Sequence, residues 1–215
     1  MQSYKDYFTD RNFLIYFFGG LVLLLASLVV QYYTSGYVTR SVSEPVTDII
    51  LSNTRVYDVD FIFVWGAILL MVISLAMGLK HLNYLPFAMK SVALFTLIRS
   101  VFVSLTHISP FPTRAVISST FFSEKFFSGI FTGNDLFFSG HTGLPFLLAL
   151  MCWDIKPLRY IFLGFSILFA VVVLLGHLHY SIDVLSAYFI SFAIFHMSKE
   201  YLFKKEWQLF LKNSW

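Results

Sequence analysis

Phe138–Trp153 reads FSGHTGLPFLLALMCW, Leu158–Gly176 reads LRYIFLGFSILFAVVVLLG, and His177-Leu178-His179-Tyr180-Ser181-Ile182-Asp183 leads into the next apolar run. The apolar residues are continuous rather than alternating, which points to helices. Two such helices in sequence carry the chain across and back. His141, at the start of the first run, and His179, at the start of the third, therefore meet at one end of the bundle. Nothing in apolar packing requires that coincidence.

The whole chain has the same character. Its 215 residues are 58% hydrophobic and 13% charged, and the mean hydropathy is +0.75. No soluble core of this size hides that much apolar surface. A membrane-crossing helix needs about 20 mostly apolar residues, and only helices or closed barrels cross lipid. The reading is an all-α integral membrane protein with about six spans. They are Phe13–Tyr32, Phe61–Gly78, Ser91–Thr106, Phe138–Trp153, Leu158–Gly176 and Tyr180–Met197. The fourth is short, so its start is expected to reach back into Asp135–Ser139. The first is too long for a secretory h-region and no small-residue cleavage site follows, so it reads as a retained anchor. With no internal repeat, low-complexity segment or linker, residues 1–215 are expected to form one domain.

Ten basic residues fall before the first span, in the second and fourth loops and in the tail; four fall in the first and third loops. The positive-inside rule then puts both termini in the cytoplasm. The His141 and His179 end would face the periplasm, the exterior or a lumen. The net charge of +3 is spread over loops rather than gathered in a stripe, which gives no sign of nucleic-acid binding. Cys152 is the single cysteine and can form no internal disulfide. Pro45–Leu51 in the first outer loop is expected to form a short interfacial helix. The Phe- and Ser-rich loop Ser109–Asn134 is expected to lie partly in the lipid interface.

Polar groups inside a membrane protein are costly and are functional candidates. They are Arg99, Asp135, Ser139, His141, His177, His179 and Asp183. His179 and Asp183 stand four apart and would share a helix face, an arrangement in which a carboxylate orients an imidazole and raises its basicity. Ser139 and Gly140 resemble a helix start whose N–H groups would receive phosphate. A zinc site using His141, His177 and His179 is one rival reading. A membrane serine protease lacks its G-x-S-G here, and a transporter would call for symmetry between halves that the chain does not have.

Together, Asp135-x-x-x-Ser139-Gly140-His141-Thr142 and His177-x-His179-Tyr180-Ser181-Ile182-Asp183, two spans apart, resemble the type 2 phosphatidic acid phosphatase superfamily. They are closer to its sphingomyelin synthase branch, which also carries an Arg in the third span, as Arg99 stands here. The resemblance covers about residues 98–190. The chain departs from the phosphatase branch at Val173, where that branch has an Arg six residues before the nucleophile. It also departs at Phe138, where a Pro precedes Ser-Gly-His, and at Ser100, which stands in place of an Arg-Pro pair. Phosphate monoesters approach dianions and usually meet several Arg or Lys. Fewer cations suit a diester, that is, an intact phospholipid.

The resemblance implies a metal- and cofactor-independent phosphotransferase with His141, His179 and Asp183 as catalytic residues. Ser139, His177 and Arg99 would hold phosphate oxygens. Asp135, aided by Tyr180, would face a cationic head group, or else only cap its helix. The partners would be a phospholipid donor and ceramide, diacylglycerol or water as acceptor or product. A phosphomonoester lipid phosphatase, and a non-catalytic lipid-binding or transport protein, are the alternatives.

Overall fold

A computed structural model describes residues 4–117 and 135–212. Among the described residues the chain is helical and holds no strand. A short α1 (Tyr4–Thr9) precedes α2 (Arg11–Arg40), α3 (Asp60–Lys80), α4 (Leu85–Thr106), α5 (Gly140–Met151), α6 (Lys156–Leu175), α7 (Ser181–Met197) and α8 (Lys204–Lys212). Local chemistry sets the starts. The Asp10 carboxylate accepts from the N–H groups of Asn12 and Phe13 at 2.9 and 3.4 Å, capping α2. Proline sits in the first turn of both α4 and α6, where its missing N–H costs nothing.

Five helical stretches are long and apolar enough to cross a membrane, namely α2, α3, α4 with its preceding turn, α6, and α7 with the turn that follows. The chain is therefore a multi-helix membrane protein of the expected all-α class. α5 is the exception. Its twelve residues rise about 18 Å, against an apolar layer of about 30 Å. The expected extension into Asp135–Ser139 does not occur: Ser139 caps the helix in extended conformation, and the residues before it are not helical. Two other expectations are corrected. α2 runs on to Arg40, so the first connecting loop is shorter than Tyr33–Asp60. In place of a helix over Pro45–Leu51 there is only a single turn at Leu51–Asn53. Of the loop Ser109–Asn134, residues 118–134 lie outside the described residues, and so does Lys125.

The helices alternate in direction. α8 returns to the start of α4: Lys90 pairs with Glu206 and lies over the Tyr16 ring of α2, and Asn83 Nδ2 donates to Phe210 O at 3.0 Å. Both described ends of the chain are thus at the end of the bundle opposite His141 and His179. Trp207 and Phe210 seal that end against Phe87, Phe195 and Tyr84.

α5 sits in the middle, against α4, α6 and α7. Ser166 Oγ of α6 donates to Thr142 O at 2.9 Å, and Ser191 Oγ of α7 donates to Gly143 O at 3.0 Å. Such interhelical bonds fix rotation where apolar packing alone is indifferent. The approach needs glycine at 143, because a Cβ there would lie 2.8 Å from Ser191 Oγ and 3.0 Å from the Phe95 ring. Gly143→Ala should therefore overpack α5 and lower stability by about 1–3 kcal/mol. Thermal unfolding in detergent would read this, and an unchanged midpoint would mean the three helices yield there.

Candidate active site

α5 starts below the end of the bundle, and the α6–α7 turn folds down to meet it. His177 has φ 51°, the left-handed region, and reverses the chain. The N–H groups of Leu178 and His179 then reach back to Val173 O at 2.8 and 3.4 Å. His179 thereby lies beside the last turn of α6 and ahead of α7, not on a helix face shared with Asp183 as expected. Holding a non-glycine residue in that region costs about 1–3 kcal/mol. Hydroxyls of two loops hold His177, Thr113 Oγ1 at 2.6 Å from Nδ1 and Thr54 Oγ1 at 3.3 Å from Nε2. Burial pushes the His177 imidazole below its ordinary value, against the pull of Asp48.

Asp183 joins the two motifs. Its Oδ2 accepts the Tyr180 N–H at 2.9 Å and lies 3.3 Å from His179 Nδ1. Its backbone carbonyl accepts the Ser139 N–H at 3.1 Å. The side chain of Asp183 is fully buried. Across from it His141 is half-buried, packed on the rings of Phe63 and Phe169, and within electrostatic reach of His179, Arg99 and Asp135. Among the described residues the N–H groups of Gly140 and His141 have no partner, as first-turn amides have none within a helix.

The remaining expected site residues are spent elsewhere. Ser139 Oγ accepts the Thr142 N–H at 3.4 Å and contacts Thr142 Oγ1 at 3.2 Å, so it caps α5 instead of reaching outward for phosphate. Arg99 and Asp135, expected to bind opposite ends of a substrate, bind each other. Arg99 Nη1 lies 2.6 Å from Asp135 Oδ2, Nη2 donates to Asp135 O, and Nε donates to Phe138 O at 2.8 Å. Both His177 nitrogens face threonines, which takes it away from phosphate and from a zinc site. Tyr180 is buried, donating to Ser109 O at 2.8 Å and accepting the Val46 N–H at 3.3 Å, so its ring is not offered to a cation.

Other residues were not foreseen. Gln31 of α2 donates to Asp135 Oδ2 at 3.1 Å. Arg114, half-buried, acts electrostatically on the same carboxylate. Asp48 of the first loop accepts Ser181 N and Oγ at 2.7 and 2.8 Å through Oδ2, and Ile50 and Leu51 N–H through Oδ1. A buried Gln in an apolar helix was the one legible signal among these.

Residues 132–200 match the PAP2 superfamily C-terminal family. The matched stretch contains α5, α6, α7 and both motifs. No curated protein and no solved structure gave a match. The match supports kinship with the type 2 phosphatidic acid phosphatase superfamily, and with it a lipid enzyme of phosphatase or phosphotransferase type in a bilayer.

Two outcomes are expected. Asp135→Ala leaves a buried guanidinium without its carboxylate and should cost about 3–5 kcal/mol, whereas Gln31→Leu should cost about 1 kcal/mol. Comparative thermal unfolding tests this, and equal losses would contradict it. Burial raises the Asp48 carboxyl, but the bonds from Ser181, Leu51 and Ile50 outweigh it and hold it below its ordinary 3.8. A carboxylate lowered on folding stabilises above its unfolded value and loses that contribution as pH falls through the folded one. Asp48→Asn should therefore be less stable at neutral pH and lose less on acidification below about pH 4, read as unfolding midpoint against pH.

Proposed function

We propose that this protein is a membrane phosphotransferase that takes the phospho-head group from a phospholipid and passes it to a lipid alcohol of ceramide type, or to water. The observation that carries the reading is the double role of Asp183, whose side chain faces His179 Nδ1 while its carbonyl holds Ser139. It makes one site of two motifs 38 residues apart in their histidines.

In the first step the lone pair of His179 Nε2 attacks phosphorus, with Asp183 accepting at Nδ1. The P–O bond to diacylglycerol breaks, and the departing oxygen takes a proton from His141. In the second step His141 removes the proton of the acceptor hydroxyl, whose oxygen forms the new P–O bond. The N–P bond breaks and its electrons return to Nε2. The Gly140 and His141 N–H groups receive the phosphate oxygens. Arg99 and Asp135 act as positioning residues beneath Gly140, whose Cβ position lies 3.4 Å from Arg99 Nε. No step calls for a metal or cofactor.

Charge supports a diester donor. Among the described residues, His141 lies within electrostatic reach of one guanidinium, Arg99, and one carboxylate, Asp135, which offset each other. A dianionic monoester would meet little excess positive charge, and a monoanionic diester needs less.

The test uses purified protein in mixed micelles with a head-group-labelled phospholipid, with and without ceramide. Label should move to ceramide, and His179→Ala should reduce turnover to background. Release to water in both tubes would make the protein a hydrolase. Cleavage of a labelled monoester alone would overturn the diester reading, and wild-type turnover by His179→Ala would overturn the mechanism.

A further inference from the structure

The two site histidines are held by different physics. His179 leans on a carboxylate. Among the described residues, neither ring nitrogen of His141 has a hydrogen-bond partner. Its imidazole rests instead in a corner made by two phenyl rings. The Phe63 centroid is 4.3 Å away at an interplanar angle of 42°, the Phe169 centroid is 5.6 Å away at 57°, and the two phenyls meet edge to face at 6.4 Å.

Phe169 is buried in α6, but Phe63 comes from α3, the helix least enclosed by the rest of the bundle along with α2. Its register against α6 is fixed by two glycines. Gly66 lets the Phe169 ring lie against α3, with a Cβ position 3.3 Å from that ring. Gly176 admits Val59, whose Cγ2 stands 2.4 Å from a Cβ placed there. The Tyr57 N–H also donates to Leu175 O at 2.9 Å. α3 is thus seated so that one phenyl faces the imidazole.

We infer that Phe63 is a positioning residue for His141, resting on the reading of His141 as acid and base. A ring held by phenyl faces keeps both nitrogens for the reacting lipids, and it gains cation–π attraction when it carries the proton. A carboxylate partner would occupy one nitrogen and fix one tautomer, as Asp183 does for His179. A group that gives a proton to a departing oxygen and takes one from an incoming hydroxyl needs orientation without that occupation.

The experiment compares two diesters in detergent micelles, a head-group-labelled phospholipid and p-nitrophenylphosphocholine. The diacylglycerol oxygen leaves with a proton, whereas p-nitrophenolate leaves without one. Phe63→Leu should lower phospholipid turnover tenfold or more. From the nitrophenyl ester it should release the first equivalent of p-nitrophenol at the wild-type rate, then turn over slowly, because the second step still needs His141 as base. Phe63→Tyr, which keeps the ring, should restore phospholipid turnover to within about twofold, a rescue a merely bulky filler would not require. A burst slowed as much as phospholipid cleavage would make Phe63 structural, and wild-type rates on both substrates would overturn the assignment. The underlying reading is judged separately. A burst surviving in His179→Ala overturns the phospho-histidine mechanism whatever Phe63 does.

Discussion

A buried guanidinium and a buried carboxylate hold an irregular stretch at the heart of an apolar bundle. The segment 135–139 cannot use helical hydrogen bonds, and where water is excluded its polar groups must find partners in protein. Arg99 supplies them, taking the carbonyls of Asp135 and Phe138 as well as the Asp135 carboxylate. Gln31 adds a donor from α2. Such a pair adds little net stability, since desolvation offsets attraction. What it does is fix where α5 begins. That start carries Ser139, Gly140 and His141, so the place of the site in the bundle follows from it.

The opposite side of the site is fixed from outside. The turn 176–180 is sewn to two loops by His177, Tyr180 and, one residue on, Ser181 with Asp48. His179 is thereby held beside Val173 and below the end of α6. The site is a meeting of a short helix held from below and a turn held from above. Its polar groups are mostly buried, with His141 the half-open one. A lipid hydroxyl arriving along the bilayer and a water arriving from the end of the bundle would compete at that opening. On the proposed mechanism, their access decides between transfer and hydrolysis, because the chemistry at His179 is the same for both.

The helices and the meeting of His141 with His179 were legible, because apolar run length and the parity of crossings decide them. The start of α5 was misread. Span length argued for an earlier start, while Ser139 as a cap argued for the observed one, and the local signal won because Arg99 satisfies the backbone that a longer helix would have satisfied itself. The partners of Asp135 and His177 were not legible. Residue type states that an exposed charge would be costly in lipid, but not which neighbour relieves it. His177 depends on threonines 123 and 64 residues away in sequence. Phe63 was hidden among 26 phenylalanines, most of which have packing or lipid contact as sufficient reason.

The corrected roles of Arg99 and Asp135 sharpen the question of substrate. Read from sequence, Arg99 was a cation for phosphate and Asp135 an anion for a head group. Paired, they cancel as ligands and act as scaffold. On the proposed mechanism, phosphate recognition then falls to backbone N–H groups at the start of α5, which carry partial charge and neutralise less than a guanidinium does. A site built on amide dipoles discriminates against a dianion more than one built on several arginines. The absence of extra cations at Val173 and Ser100 and the engagement of Arg99 in the fold act in the same direction. Together they favour, on the proposed mechanism, a singly charged phosphodiester as the form of phosphate that this arrangement of residues suits.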